Sequence, residues 1–295
     1  SNNRYEYWKV TVPATAETYN YHFSLTNNVE TIYFSRQGLD VNEITNTGGD
    51  WSTIPNFSTP DWAKGTVWYS IMPDSFSNGN ILNDKTSMYA NPWGSYHQNG
   101  SGYFGGDLQG IENKIDYIQD LGAESVFVNP IWITTHQAGY GSFDFTQFDS
   151  TFGDDEQFRD LVSALHDEDM TIMLDAVFEY CNVSNILYNS SGLYPNLDDT
   201  LNPNSPYYDF VQRDENGNVI YSGWGSPLID FSSEITRNLL YRNPDSVMQY
   251  YIREFDIDGW RMDVGNDLRG TDPDNFGEST SILKDMRKYI KAVDE

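Results

Sequence analysis

From about residue 61 onward, short apolar runs alternate with longer amphipathic segments. The runs VWYSIM (67–72), SVFVNPIW (125–132) and TIMLDAVF (171–178) are apolar almost throughout, which is typical of strands that are buried on both faces. Strands that alternate with amphipathic helices predict a parallel sheet covered by helices, either a doubly wound sheet or a (β/α)8 barrel. The predicted helices lie at 111–122, 154–170, about 233–254 and 281–293.

The first sixty residues have a different pattern, in which apolar and polar positions alternate. YEYWKVTV (5–12), YNYHFSLT (19–26) and ETIYFSR (30–36) predict three strands separated by polar turns. The stretch Trp51–Trp62 contains proline and serine residues, so it predicts a linker. A separate small β domain is therefore expected before the sheet-and-helix domain.

Polar side chains follow the apolar strands at their carboxyl ends. Asn129 and Asp175 are two of them, and Arg261 and Asp263 lie within FDIDGWRMDVGND (255–267). Residues two apart in a strand share a face, so Arg261 and Asp263 are expected to point the same way. The pair either closes the mouth of a core strand as an ion pair or holds a carboxylate ionised for nucleophilic attack. No glycine-rich phosphate-binding motif follows a strand, which weakens a nucleotide-binding function.

Composition narrows the classes of ligand. The chain has 295 residues and a formal net charge of -27, so a nucleic acid backbone and an anionic membrane surface are poor partners. It contains 21 Tyr and 8 Trp, and although most aromatic residues are expected in the core, these two also form platforms for sugar rings. A single cysteine, Cys181, excludes an internal disulfide, and no apolar run is long enough to span a bilayer.

Four segments together resemble the α-amylase family of glycoside hydrolases: TPDWAKGTVWYSIMPDSFSNGN, YFGGDLQGIENKIDYIQDLGAESVFVNPIW, MLDAVF and FDIDGWRMDV. The chain looks closest to the branch of neopullulanases, cyclomaltodextrinases and maltogenic amylases. The resemblance implies an α/β (β/α)8 TIM barrel, of which residues 61–295 hold about the first four βα units, with loop domain B at about 179–232. It also implies that residues 1–60 are the C-terminal part of an N-terminal, starch-binding-like β-sandwich.

The resemblance assigns roles to the charged residues at the strand ends. Asp263 matches the nucleophile that forms a glycosyl-enzyme, Arg261 the arginine that keeps it ionised, and Asp175 the aspartate that pairs with this arginine. Tyr140 matches the tyrosine that stacks on the sugar being cleaved. A retaining glycosidase also needs a protonated carboxyl group about 5 Å away. The family carries that glutamate on strand five, beyond Glu295, so this chain is expected to be an incomplete piece that needs the remainder of the barrel.

Other positions near the expected cleft are less certain or depart from the family. Trp132 and His136 could line the cleft, and a packing role is equally open for them. The family's third-strand motif continues to Asn-His, whereas this chain has Glu179 and Tyr180, and Tyr180 can offer the sugar a single hydroxyl. Gly141 replaces an aspartate of many relatives. These changes are expected to alter the polar contacts around the sugar.

An Asn- and Asp-rich loop resembles the calcium site of the neopullulanase branch. Ca²⁺ takes six to eight oxygen ligands from carboxylates, amides and backbone carbonyls. The alternative is an Asn/Gly-rich turn without an ion. The matching positions are Asn78, Asn80, Asn83, Asp84, Gly105 (through its carbonyl) and Asp107.

These observations lead to a functional hypothesis with two alternatives. The first is a retaining hydrolase of α-1,4 and perhaps α-1,6 glucosidic bonds in starch, pullulan or cyclodextrin-like glucans. The second is a protein of the same fold that binds α-glucan without cleaving it, and the third is a glucanotransferase. The expected partner is an α-glucan, and neither a nucleic acid nor a membrane is expected as a partner. The expected location is extracellular or at the cell surface, with the cytoplasm as the alternative.

Overall fold

The computed structural model describes residues 9–12, 19–27, 29–42, 49–53, 59–86, 88, 90–96, 102–136, 139–188, 202–272 and 276–293. The chain divides into two compact units, one up to Lys64 and one from Gly65 onward. No helix in the described ranges combines the length and hydrophobicity that a membrane crossing requires.

The first unit is built of antiparallel strands. A two-stranded ladder joins β1 to β5, and a three-stranded meander joins β2, β3 and β4. The turn between β2 and β3 is fixed by Asn27, whose side-chain oxygen accepts a hydrogen bond from the Glu30 amide at 2.9 Å. The strands are β1 (Tyr19–Tyr21), β2 (Phe23–Thr26), β3 (Thr31–Ser35), β4 (Gly38–Asp40) and β5 (Trp51–Thr53).

Two predictions for this unit are corrected. The predicted strand 19–26 is divided at His22, because its first half pairs with β5 and its second half with β3. The predicted linker is wrong at Trp51, which lies in β5 and whose ring packs edge-on against Phe34 with centroids 4.9 Å apart. In the predicted strand 5–12, residues 9–12 have no strand structure, and the rest lie outside the described residues.

A four-stranded parallel sheet organises the second unit, in the order β6-β7-β8-β9. The three apolar runs form β6 (Trp68–Ile71), β7 (Ser125–Val128) and β8 (Thr171–Ala176), and the aspartate-rich motif contributes β9 (Gly259–Met262). This confirms the predicted alternation. The register places Asp175 directly opposite Arg261.

The helices follow the predicted segments but are more broken. Pro244 lacks the N–H that a continuous helix needs, so the predicted helix 233–254 is interrupted between a π-turn at Asn238–Arg242 and the next helix. Asp154 and Gln157 form a reciprocal capping box, with bonds of 3.0 and 3.1 Å, at the start of α3. The helices are α1 (Leu108–Glu112), α2 (Ile115–Asp120), α3 (Asp155–Asp167), α4 (Glu234–Arg237), α5 (Val247–Phe255) and α6 (Ser279–Ile290).

The core lies between the sheet and its helices. Val126, Ile172 and Leu174 from the strands and Phe158 and Leu161 from α3 are fully buried. Each such side chain contributes about 1.5–3 kcal/mol through its removal from water. The apolar runs therefore supply the burial that holds the sheet in place and aims the polar strand ends at one edge.

The carboxylate of Asp258 links the amino ends of β8 and β9. Asp258 Oδ2 accepts hydrogen bonds from the Ile172 amide at 2.8 Å and from His166 Nε2 at 3.0 Å. The Asp258 amide in turn donates to the Ile172 carbonyl at 3.1 Å. This contact ties α3, β8 and the start of β9 together.

Asp258→Ala should lower the free energy of unfolding by about 1–3 kcal/mol, because the buried Ile172 amide loses its acceptor. The measurement is urea unfolding followed by circular dichroism. Asp256→Asn is the control, since the Asp256 carboxylate is 90% exposed, pairs among the described residues only with His166 Nδ1, at 3.8 Å, and leaves the Ile172 amide untouched. Asparagine also tolerates the left-handed backbone at this position. Equal stability of the two variants would contradict this role for Asp258.

Candidate active site

The carboxyl ends of β8 and β9 bring three charged side chains together. Arg261 Nη1 donates to the two carboxylate oxygens of Asp175 at 2.8 and 3.0 Å and also to Asp263 Oδ1. The Asp263 amide donates to the Ala176 carbonyl at 3.2 Å, so the ladder continues one residue past β9. One guanidinium therefore bridges two carboxylates, and Arg261 and Asp263 share a face as their spacing predicts.

The electrostatics of this group are dominated by burial and by the single cation. Asp175 is fully buried, and burial raises its pKa to about 6, against the opposing effect of Arg261 and with a further rise from Asp263. Burial disfavours the charged form of Arg261, but the two carboxylates outweigh it and raise its pKa. The Phe127 ring, 5.3 Å away, covers the guanidinium. A permanent cation thus lies between the two acids.

Tyr140 joins the same group from the loop after β7. Its hydroxyl accepts a hydrogen bond from Asn129 Nδ2 at 2.7 Å and donates to Asp175 Oδ2 at 3.4 Å. Burial, followed by the charges of Asp175 and Asp263, raises the pKa of Tyr140, so the hydroxyl stays protonated. Gly139 has φ +80°, and a Cβ there would lie 1.9 Å from a backbone oxygen. The glycine before Tyr140 is therefore required to bring its ring to this edge.

Glu179 and Tyr180 lie beside the group, in the insert that follows β8. Tyr180 forms an antiparallel bridge with Leu228, and burial, then the charge of Asp263, raises its pKa to about 12. Burial, then the charges of Asp267 and Asp263, also raises the pKa of Glu179. The sequence identified Glu179 only as a departure from the family, whereas its carboxyl group is electrostatically coupled to Asp263.

Trp132 does not line the cleft. Its side chain is fully buried, its Nε1 donates to the Tyr251 hydroxyl at 2.7 Å, and its ring stacks on Trp260 at 6.2 Å. These contacts favour the packing alternative for Trp132. His136 is exposed, its amide donates to Thr134 Oγ1 at 3.1 Å, and its contribution to the cleft stays a prediction.

The backbone directly after Asp263 is strained. Val264 has φ 40° and ψ 37°, a left-handed conformation that β-branched residues rarely adopt. The Asp267 amide closes the turn on the Val264 carbonyl at 2.7 Å. Strain of this kind persists where the surrounding contacts over-determine the backbone.

The segment that follows the Val264 turn is held by the insert. Asp230 accepts hydrogen bonds from the Thr271 amide, at 3.0 Å, and from the Thr271 hydroxyl. Gln212 Nε2 and the Phe231 amide both donate to the Arg269 carbonyl, at 3.2 and 3.1 Å. The insert therefore fixes the segment after β9 that begins with Asp263.

The predicted calcium ligands also converge. Asn78 Nδ2 donates to Asp84 Oδ1 at 2.7 Å, and a Cβ on Gly105 would lie 2.5 Å from both of these atoms. The side-chain oxygens of Asn78 and Asn83 are buried without a hydrogen-bond partner. Orphaned buried acceptors are rare, and two of them beside a carboxylate form an environment that suits an oxygen-seeking cation.

Among the predicted calcium ligands, Asp107 accepts the most hydrogen bonds from the protein itself, and these would compete with an ion for its carboxylate oxygens. Its Oδ1 accepts from the amides of Gly79 and Gly110 at 3.0 and 2.6 Å, and its Oδ2 accepts from the Asn80 amide and Asn83 Nδ2 at 2.8 and 3.2 Å. It thereby caps α1. No cluster of three His, Cys, Asp or Glu side chains suited to a metal occurs among the described residues, so an ion here would depend on amide and carbonyl oxygens.

The raised pKa of Asp175 predicts a pH-dependent stability. The folded state binds a proton more tightly than the unfolded chain, so the Asp175 contribution is most favourable at low pH and is lost as pH rises from about 4 to 6. The unfolding free energy of Asp175→Asn, relative to wild type, should therefore increase between pH 4 and pH 7. Urea titrations at both pH values measure this difference. A difference that falls with pH would contradict the raised pKa.

Comparisons with known proteins identify the family of this chain. The family description "Alpha amylase, catalytic domain" matches residues 70–294. The intracellular maltogenic amylase of Bacillus subtilis (strain 168) is 35% identical over 95% of this chain and 48% of its own length. A cyclomaltodextrinase of Geobacillus thermopakistaniensis is 30% identical over 96% and 49%. A solved cyclomaltodextrinase structure superposes with TM-score 0.66 and 25% identity, over 93% of this chain and 46% of that one. The chain spans about half the length of these relatives, and it belongs to the α-amylase family of glycoside hydrolases.

Proposed function

We propose that the protein is a retaining hydrolase of α-glucosidic bonds and that this chain carries its nucleophile. The observation that carries the proposal is the bridge from Arg261 to Asp175 and Asp263 at adjoining strand ends. A retaining mechanism needs an ionised carboxylate at the anomeric carbon, and a fixed guanidinium favours that ionised form.

Each member of the group has a distinct role in the proposed reaction. Asp263 attacks the anomeric carbon and forms the glycosyl-enzyme, while Arg261 stabilises its carboxylate. Asp175 orients Arg261 from the neighbouring strand, and the Tyr140 ring stacks on the sugar being cleaved. The proposed reaction also needs a protonated carboxyl group as proton donor, about 5 Å from the nucleophile.

The architecture that we propose for this function is a (β/α)8 barrel, whose βα units follow one another along the chain. The four parallel strands support residues 61–295 as about the first four βα units of a (β/α)8 barrel, with domain B at about 179–232. The antiparallel strands of the first unit support residues 1–60 as the later part of a β-sandwich.

The proposed substrates are starch, pullulan or cyclodextrin-like glucans. The bonds cleaved are α-1,4 glucosidic bonds and, in addition, α-1,6 bonds. The names of the similar proteins, a maltogenic amylase and a cyclomaltodextrinase, support glucans as the class. The net charge of -27 favours a neutral substrate. We propose an extracellular or cell-surface location, with the cytoplasm as the alternative, which the name of the similar intracellular maltogenic amylase favours.

The second candidate function is glucan binding without cleavage. Glu179 favours it, because a second carboxyl group coupled to Asp263 changes the charge around the sugar that the nucleophile must reach. The two functions differ in whether the protein releases sugar from glucan, and the assay of wild type and Asp263→Asn described next distinguishes them.

Asp263→Asn in the intact protein should reduce kcat on starch and pullulan by roughly 10³-fold or more, because an amide cannot form the glycosyl-enzyme. A reducing-sugar assay measures the rate. Asp160→Asn, on the exposed face of α3, makes the same chemical change away from the site and should keep full activity. Undiminished release by Asp263→Asn would exclude Asp263 as the nucleophile, and binding without release by wild type would favour the second function.

We further propose that the Asn/Asp loop binds Ca²⁺ as a structural ion. The oxygens of Asn78, Asn80, Asn83 and Asp84, with the Gly105 carbonyl and Asp107, would hold it. The orphaned oxygens of Asn78 and Asn83 carry this proposal. The ion would cross-link the loop after β6 to the segment before α1.

At a calcium concentration about 100 times Kd, binding should stabilise the intact protein by about 2.7 kcal/mol. Thermal unfolding in Ca²⁺ and in a chelator measures the shift in Tm. The double variant Asn78→Ala/Asn83→Ala should lose the shift, whereas Asn113→Ala, at an exposed position between α1 and α2, should keep it. A wild-type Tm that is identical in the two buffers would rule the site out.

A further inference from the structure

A tryptophan is presented to solvent at the tip of a short hairpin in the insert. Trp224 is 84% exposed, which makes it the most exposed tryptophan among the described residues. Its turn is ordered, because the Ser222 amide donates to the Ser226 carbonyl at 2.8 Å and the Gly225 amide to the Ser222 carbonyl at 3.0 Å. Ser222 Oγ also accepts from the Trp224 amide at 3.3 Å. A single exposed apolar side chain is common on protein surfaces, so the surroundings of Trp224 decide whether it marks a binding site.

The base of this hairpin belongs to the active-site edge. Leu228 forms a bridge with Tyr180, and the Tyr221 hydroxyl bonds to the Tyr188 hydroxyl at 2.7 Å. Trp224 is four residues from Leu228, a reach of at most about 14 Å, and paired strands lie about 4.8 Å apart. These lengths are upper bounds, and they leave Trp224 within reach of a chain of several sugars bound at the site.

The chemistry of the hairpin suits a neutral, hydroxyl-rich ligand. The segment Ile220–Ile229 contains no charged residue, in a chain whose net charge is -27. It contains the Trp224 indole and the hydroxyls of Tyr221, Ser222 and Ser226, of which the Tyr221 hydroxyl is already bonded to Tyr188. The apolar face of a pyranose ring stacks on such an indole, while hydroxyls satisfy the ring's edge.

We propose that Trp224 is a stacking platform for a glucose unit several sugars away from the cleaved bond. The hairpin Tyr221–Pro227 then forms a distal subsite that favours long α-glucans over short ones. This inference rests on the proposed function, because it takes the ligand to be the glucan bound beside Asp263.

The test compares kcat/KM for maltoheptaose and maltotriose in the intact protein and its Trp224→Ala variant. Trp224→Ala should lower kcat/KM for maltoheptaose by about 3- to 10-fold, through KM, as expected for one aromatic contact. Maltotriose, which is too short to reach the hairpin, should be unaffected. Trp224→Phe should retain most of the preference. Leu121→Ala, which truncates an exposed apolar side chain at the end of α2, should change neither substrate.

Equal effects of Trp224→Ala on both substrates, or none on either, would overturn the inference while leaving the hydrolase function intact. If wild type cleaves neither substrate, the proposed function fails. The role of Trp224 is then tested separately, by calorimetric measurement of maltoheptaose binding to wild type and to Trp224→Ala. Weaker binding by Trp224→Ala supports the platform, and equal binding overturns it. A dimer that Trp224→Ala converts to monomer, with substrate preference unchanged, would assign the hairpin to a second copy and also overturn it.

Discussion

The arrangement of the site depends on one buried ion pair. Asp175 has no exposed surface, and a carboxylate in that position costs several kcal/mol unless a cation compensates. Arg261 supplies that cation from the directly opposite position on β9. A slip of one residue between β8 and β9 would turn every side chain to the other face and separate the two charges. The pair therefore fixes the register of the strands and, with it, the direction in which Asp263 points.

The loops around the pair are held from more than one side. Tyr140 is tied to Asn129 and Asp175, so the loop after β7 is coupled to β8. The turn at Val264 is closed by the Asp267 amide, and the segment that follows it is held by the Asp230–Thr271 and Gln212–Arg269 contacts with the insert. The same insert brings Glu179 and Tyr180 near Asp263 and carries the hairpin of Trp224. The proposed nucleophile and the proposed distal subsite therefore both depend on this one segment.

The sequence predicted the features that arise from local periodicity. Apolar runs located β6, β7 and β8, and the two-residue spacing placed Arg261 and Asp263 on one face. The errors come from non-local contacts. Trp51 was assigned to a linker because its partner strand lies thirty residues earlier, and such pairing leaves no mark on a short polar stretch. For Trp132 the sequence leaves a cleft role and a packing role equally open, because a core residue and a cleft residue that directly follow an apolar run have the same sequence pattern. The interruption at Pro244 was visible in the sequence, but the apolar spacing on both sides of it favoured one helix.

The most direct test of the nucleophile is to trap its covalent intermediate. A fluorinated maltosyl fluoride that reacts with the intact protein but turns over slowly should leave one glycosyl group on the enzyme. Peptide mapping by mass spectrometry then locates it. The account predicts a label on Asp263, in the peptide that contains Arg261 and Met262. A label on any other carboxylate, or inverted product without a label, would contradict the retaining mechanism that the ion pair is taken to support.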